Sequence, residues 1–191
     1  MEKEQIIIAS NNKGKIKEAK EILNEYEIIS IKEIGIDIDI KEDKETFEEN
    51  AIKKAKEISK ILNNKMCISD DSGITIKALN GFPGVKTKRW LDGTDRERNL
   101  GILEKMKGIE KEKREVKFIT AIAIAKGEDI YVAKEEIKGY ISTEIRGKNG
   151  FGFDEIFELE DGRTLAELTN EEKNQISSRK KALEKIKKHL K

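Results

Sequence analysis

Apolar residues recur along this chain at two spacings, and each change of spacing marks a change of element. Ile6-Ile7-Ile8-Ala9 is a short continuous apolar run and predicts a buried strand. Ser10-Asn11-Asn12-Lys13-Gly14 breaks it, after which Ile16, Ala19, Ile22 and Leu23 share one helical face. Ile28 to Ile31 reads as a second strand, and the acidic stretch from Ile36 to Glu45 as an edge strand or a loop. Thr46-Phe47-Glu48-Glu49 has the spacing of a capping box, in which a Thr side chain and a Glu one turn on satisfy each other's free amides. The helix it opens is expected to reach about Leu62. Lys65 to Ser69 predicts a strand ending in Asp70-Asp71-Ser72-Gly73, with extended structure resuming from Ile74 to Leu79.

Asn80-Gly81-Phe82-Pro83-Gly84 is a turn cluster. Thr94-Asp95-Arg96-Glu97 offers a second capping box, for a helix through Leu100, Leu103 and Met106. Val116 to Ala125 is the strongest strand pattern, and Lys126-Gly127-Glu128-Asp129 turns it into a partner beginning at Ile130 and continuing through Ile137 and Ile141. Arg146 to Gly152 is a glycine-rich loop. Thr164 and Thr169 both precede a Glu at capping-box spacing, which leaves two helix starts open, and a final helix is expected from about Ser177 to the chain end. This alternation gives an α/β (mixed α+β) class with a mixed sheet. With no repeat, low-complexity tract or linker, residues 1–191 read as one domain.

Composition narrows the chemistry. The chain has 191 residues, enough for a sizeable core. Its 39 Lys+Arg against 38 Asp+Glu leave no global basic field, so no nucleic-acid partner is expected. One Cys and one His exclude a disulfide framework, a zinc finger and a His-based triad within the chain. The start, Met1-Glu2-Lys3-Glu4-Gln5, has no signal-peptide character. The longest mostly apolar stretch, Phe118 to Ala125, falls far short of the roughly 20 residues that span a bilayer. A cytoplasmic protein without a membrane partner is the expectation, its chemistry resting on carboxylates, lysines, hydroxyls and a hard metal ion.

Ser10-Asn11-Asn12-Lys13-Gly14-Lys15 lies between a strand and a helix start, where free amides and the helix dipole favour phosphate. It is not a Walker A loop, and a plain connector is the competing reading. Lys54 falls on the apolar arc of Phe47, Ala51, Ala55, Ile58, Ile61 and Leu62, which suggests a lysine aimed from the packed face into an anionic cleft rather than a snorkelling one. Asp70 and Asp71 close an apolar strand, where packing does not explain them. They either meet a hard cation such as Mg²⁺ or cap a turn. Gly150-Phe151-Gly152-Phe153-Asp154 sets two aromatics among glycines, offering a stacking surface and an acceptor, with core packing the plain alternative for either Phe. Lys173, Ser177 and Arg179 read by default as solvated polar residues. Cys67 reads as a packed strand thiol and His189 as a solvated side chain.

Taken in order, these segments resemble the inosine triphosphate pyrophosphatase family, which removes non-canonical purine nucleoside triphosphates. The resemblance runs through Ser10–Lys15, Thr46–Ala51 with Lys54, Ser69–Gly73, Leu79–Gly84, Gly150–Asp154, Ala166–Thr169, Glu172-Lys173 and Ile176–Arg179. It implies an elongated mixed sheet flanked by helices, two lobes with a nucleotide cleft between them, and a homodimer. It further implies Mg²⁺-dependent hydrolysis of ITP, dITP and XTP to monophosphate and pyrophosphate. By matching position it makes Asp71 the catalytic carboxylate assisted by Lys54, and puts Glu42, Asp70 and Asp71 at the metal. Ser10, Asn11, Asn12, Lys13, Gly14, Lys15 and Ser72 fall on the triphosphate side. Phe151, Gly152, Phe153, Asp154, Lys173, Ser177, Ser178 and Arg179 fall on base-binding segments. Three positions depart from the family pattern: Ser10-Asn11-Asn12 replaces Thr-Gly-Asn, Phe153-Asp154-Glu155 replaces Tyr-Asp-Pro, and Ser178 replaces a His that helps recognise the base. A different triphosphate preference and a catalytically weak nucleotide-binding regulator are the competing functions.

Overall fold

Local capping signals fix most helix starts. In the computed structural model, which describes residues 3–190, the Thr46 and Thr94 capping boxes both form and open α2 (Phe47–Ile61) and α3 (Asp95–Lys105). The two alternatives near the C-terminus are both realised: Thr164 caps a single 3₁₀ turn, and Thr169 caps α4 (Asn170–Ile176). α1 (Lys13–Ile22) starts from Asn12, whose side chain accepts from two first-turn amides. The last helix, α5, spans Ser178–Lys187 and stops short of the chain end. Residues Met1, Glu2 and Lys191, on which parts of the terminal readings fall, lie outside the described residues.

The strands are β1 (Gln5–Ile8), β2 (Glu27–Ser30), β3 (Cys67–Ile76), β4 (Glu115–Lys126), β5 (Asp129–Ile141) and β6 (Phe157–Glu158). Among the described residues they form one mixed sheet in the order β2-β1-β3-β4-β5-β6. β1 pairs parallel with β2 and β3, Ile7 opposite Cys67 and Ile8 opposite Ile68, whereas β5 and β6 pair antiparallel. The segment from Ile36 to Glu45 is loop, not an edge strand. The larger correction concerns β3, which does not end at Asp70 but runs through Asp70-Asp71-Ser72-Gly73 to Ile76. A turn-like composition is overridden because β4 lies beside this strand, while on the other side, past the β1 pairing at Cys67 and Ile68, the Asp70 carbonyl accepts from Lys54 Nζ at 2.7 Å.

The chain divides into two compact units. Unit 1 holds residues 1–72, 120–135 and 178–191. Its core joins Ile6, Ile8, Ile68, Ile122 and Ile124 of the strands to Ala19 and Leu23 on one side of α1 and Ala182, Leu183 and Ile186 of α5. A second cluster, Ile7, Ala9, Ile31, Ile40, Ile58 and Cys67, seats α2. Burial pushes the Cys67 thiol up to about 12, so it stays protonated and inert. His189 is not merely solvated: its ring stacks on Tyr131 at 3.8 Å between centroids.

Unit 2 holds residues 73–119 and 136–177. Ile74, Ile76, Ile102, Met106, Val116, Ile141, Phe157 and Leu165 form its core. Arg114 is buried there as a brace, its guanidinium donating to the carbonyls of Ile141 at 2.6 Å, Met106 at 2.7 Å and Ser142 at 2.6 Å.

Candidate functional site

Unit 1 gathers its ionisable groups where β3 crosses between three helices. Side chains alternate across a strand, so Asp70 and Asp71 point opposite ways. Asp70 Oδ2 accepts from Arg179 Nε at 2.6 Å; Oδ1 pairs with the Lys15 ammonium and accepts from Ser72 Oγ at 3.1 Å. Arg179, at the start of α5, also pairs with Glu18 of α1 and donates to Ser72 Oγ at 3.1 Å. All of Lys15, Glu18, Asp70 and Arg179 are buried. Burial alone would raise the Asp70 carboxyl, but Arg179 and Lys15 more than reverse this and hold it well below the usual carboxylate range. Burial lowers the Lys15 ammonium against the pull of Asp70.

Asp71 has the opposite surroundings. Its Oδ1 accepts from the Ser72 amide at 3.1 Å and stands 3.9 Å from Lys54 Nζ, while its buried Oδ2 has no hydrogen-bond partner. Burial, with the neighbouring Glu42 adding repulsion, outweighs Lys54 and lifts this carboxyl to about 6. Lys54 is buried on the packed face of α2, donating to Glu42 Oε1 at 2.5 Å and to the Asp70 carbonyl at 2.7 Å. Glu42 sits on a loop that α2 itself holds. Asn50 Oδ1 accepts from the Lys44 amide at 3.0 Å, and Lys53 Nζ donates to the Lys41 carbonyl at 2.7 Å.

The strand-to-helix loop is less open than its sequence suggests. Asn12 Oδ1 accepts from the Gly14 amide at 2.9 Å and the Lys15 amide at 3.2 Å, and Ser10 Oγ accepts from the Asn12 amide at 3.1 Å. Lys15 is not a mobile charge but a buried partner of Asp70; Asn11 and Lys13 remain exposed beside the positive end of α1. Ser178 is buried, its hydroxyl 2.9 Å from that of Thr120.

Could this group hold a divalent cation? Among the described residues, no three His, Cys, Asp or Glu side chains are grouped for a metal. Asp70 has both oxygens engaged. Asp71, with its orphaned buried oxygen, and the nearby Glu42 offer the hard oxygen donors that Mg²⁺ takes when substrate phosphates complete its shell. The donor chemistry fits such an ion.

Unit 2 carries the second candidate group. Asp154 is buried, and its Oδ2 accepts from the Phe151 amide at 2.9 Å and from Lys173 Nζ at 2.5 Å. The Lys173 ammonium lies 4.8 Å from the Phe151 ring centroid, a cation–π contact. Gly150 has φ +75°, and a Cβ there would fall 2.0 Å from Asp154 Oδ2, so the loop closes over its own carboxylate only with glycine. The amides of Lys148 and Asn149 both donate to the Ala166 carbonyl at 3.0 Å and fix the loop's entry. Of the two aromatics, Phe153 is a core residue, while Phe151 is partly exposed. Lys173 and Ser177 are buried rather than solvated.

Glu18, Asn50 and Asn99 escaped sequence reasoning. Each is buried on its helix; Asn99 falls within the arc of Leu100, Leu103 and Met106, so the arc test that picks out Lys54 would have found it, whereas Glu18 and Asn50 lie just outside the apolar arcs of their helices.

Known proteins resemble this chain in sequence and in fold. The Ham1 family model matches residues 6–189. A protein of Bacillus subtilis named dITP/XTP pyrophosphatase is 46% identical, covering 97% of this chain and 96% of the relative. One of the same name from Clostridium perfringens is 44% identical, covering 98% and 97%. Among solved structures, the Staphylococcus aureus Ham1 protein superposes with a TM-score of 0.85 at 37% identity, covering 98% of each chain. A HAM1 protein from Coxiella burnetii gives 0.86 at 38%, again with 98% of each chain covered. By sequence over nearly its whole length and by fold, the chain belongs to the Ham1 family.

Proposed function

We propose that this protein hydrolyses non-canonical purine nucleoside triphosphates, dITP, XTP and ITP, to the monophosphate and pyrophosphate, with Mg²⁺. The names of its relatives support the reaction, and the observation that carries it here is the raised Asp71 carboxyl, whose buried Oδ2 has no hydrogen-bond partner, beside Lys54 and Glu42.

In the reaction, water adds to the α-phosphorus and the bond from that phosphorus to the bridging oxygen breaks, so pyrophosphate leaves and the nucleotide keeps one phosphate. Asp71 orients the water through one carboxylate oxygen and takes its proton, a role that its carboxyl, lifted to about 6 in the metal-free protein, can fill. Lys54 offsets the charge that builds on the phosphates, from a position fixed by Glu42 and the Asp70 carbonyl. Lys13 and the positive end of α1 attract the phosphate tail. Asp71 and Glu42 would hold Mg²⁺, which when bound neutralises triphosphate charge and polarises the phosphoryl oxygens. Asp70 is reassigned from metal ligand to anchor, since Arg179, Lys15 and Ser72 take up both of its oxygens. Arg179 is likewise reassigned, from the base to the carboxylates.

Phe151, Lys173 and Asp154 supply the base-binding surface: a ring to stack on, a donor and an acceptor. An oxo group at the purine 6-position suits a donor where the amino group of adenine does not, and a mispaired buried group costs about 1–3 kcal/mol. The enzyme works as a cytoplasmic homodimer. Gel filtration with light scattering tests the dimer. Pyrophosphate release from dITP, XTP and ITP tests the activity, and near-normal turnover by Asp71→Asn would refute the assignment of that residue.

A further inference from the structure

Asn99 is the most deeply buried polar side chain of α3, with 0% exposure on a helix otherwise studded with charges. Its Nδ2 donates to the Gly152 carbonyl at 3.0 Å and to Glu155 Oε2 at 3.1 Å. One turn earlier, Asp95 Oδ2 accepts from the Gly152 amide at 3.0 Å. Residues four apart lie on one helix face, so α3 grips Gly152 at both its N–H and its C=O. Arg96 adds a looser hold, 3.8 Å from Glu155 Oε1. Buried polar groups of this kind are costly unless bonded, and here all the bonds made by the Asn99 amide nitrogen run to the 150–155 loop.

Gly152 is the neighbour of Phe151, the half-exposed aromatic under Lys173. Within the loop, Asp154 secures the Phe151 amide, but nothing in that bond fixes how far the loop stands from the rest of unit 2. The α3 grip does so. Fixing a glycine peptide matters because an untethered glycine samples a wide range of backbone angles, and the Phe151 ring would move with it. From this geometry we infer that Asp95 and Asn99 are positioning residues for base recognition, holding Phe151 where a purine stacks. This rests on the function proposed above. Both residues act on the base-binding loop of unit 2, so the effect falls on nucleotide affinity and base choice rather than on the chemical step.

Three variants test it: Asp95→Ala, Asp95→Asn, which keeps an acceptor for the Gly152 amide, and Asn99→Ala. Steady-state kinetics with ITP and ATP are measured beside thermal unfolding. The expected result is a KM for ITP raised about 5- to 20-fold in Asp95→Ala and Asn99→Ala, with kcat within twofold of the parent and a smaller ITP-to-ATP preference. Asp95→Asn should restore KM to within about twofold. Because Asp95 is half-exposed at a helix start, its variants fold even if Asn99→Ala does not. A fall in kcat at constant KM, unchanged kinetics in Asp95→Ala, or no rescue by Asp95→Asn would overturn the inference while leaving the proposed function standing. A parent protein without turnover on any triphosphate would overturn both, and that is read from the parent alone.

Discussion

Asp70 and Asp71 are consecutive residues of one strand, yet the first is held well below the usual carboxylate range and the second is lifted to about 6. Strand alternation sends Asp70 toward Arg179 and Lys15 and leaves Asp71 with a buried oxygen that has no partner. In the proposed function the first is an anchor and the second the reactive group, and the difference follows from which face of β3 each occupies.

Asp71→Asn should therefore lose activity and gain stability. Loss of a positioned base or ligand lowers turnover by about 10²–10⁴-fold. A carboxyl whose folded pKa is raised from 3.8 to about 6 favours folding only in its protonated form. Below pH 4 both states are protonated and nothing is lost; as pH rises through 6, ionisation costs the folded state roughly 3 kcal/mol. Without metal at pH 7.5, Asp71→Asn should be more stable than the parent by about that amount, with the gap closing below pH 4. Urea unfolding at the two pH values, with chelator present, measures it; equal stability at both would contradict the account.

For Asp70 the sign is reversed. Its depressed pKa contributes stability that is fully present above its ordinary value of 3.8 and lost as pH falls below it. Arg179→Met takes the guanidinium away from Glu18 and leaves Asp70 with Lys15 as its cation, and should cost about 3–5 kcal/mol near neutral pH. Adding Glu18→Gln and Asp70→Asn to it should recover part of that loss. Denaturant titration of the single and triple variants reads both, and an unperturbed Arg179→Met would show that the cluster does not hold the fold.

Gly150→Ala should be damaging through Asp154. The new methyl group would collide with Oδ2 of that carboxylate, at a backbone angle L residues rarely adopt. Destabilisation of about 1–3 kcal/mol and a several-fold higher KM are expected. Gly152→Ala is the informative companion, since nothing lies within 4 Å of its added carbon and only its φ of +65° is penalised. A milder stability loss there, read by thermal unfolding, is the expected order.

Ser178→Ala separates base recognition from packing. The hydroxyl pairs with Thr120 inside unit 1, so its removal leaves a buried hydroxyl unpartnered at a cost of about 1–2 kcal/mol. The ratio of ITP to ATP turnover should stay within twofold. A large change in that ratio would show the Ser178 hydroxyl at the base after all.

Much of this was legible from the chain. The Thr46 and Thr94 boxes marked two helix starts, and Lys54 stood out as a charge on an apolar arc. What misled was the Asp-Asp-Ser-Gly segment, whose composition favours a turn. It is strand because Lys15, Lys54 and Arg179, brought by three different helices, satisfy charges that local sequence cannot. Burial of Lys15, Lys173 and Arg179 was hidden for the same reason: each depends on a carboxylate far away in sequence. Asn99 shows the converse, since its place on a helix face was readable but its partner, the Gly152 peptide, carries no side chain to signal it.

The most direct test is pyrophosphate release with Mg²⁺ from a panel of ITP, dITP, XTP, ATP, GTP and dTTP, run for the parent and for Asp71→Asn. Rapid turnover of the first three, with ATP far slower and the variant inactive on all, is the predicted result. Equal turnover of all six would remove the base filter assigned to Phe151, Asp154 and Lys173, and no pyrophosphate from any of them would contradict the account as a whole.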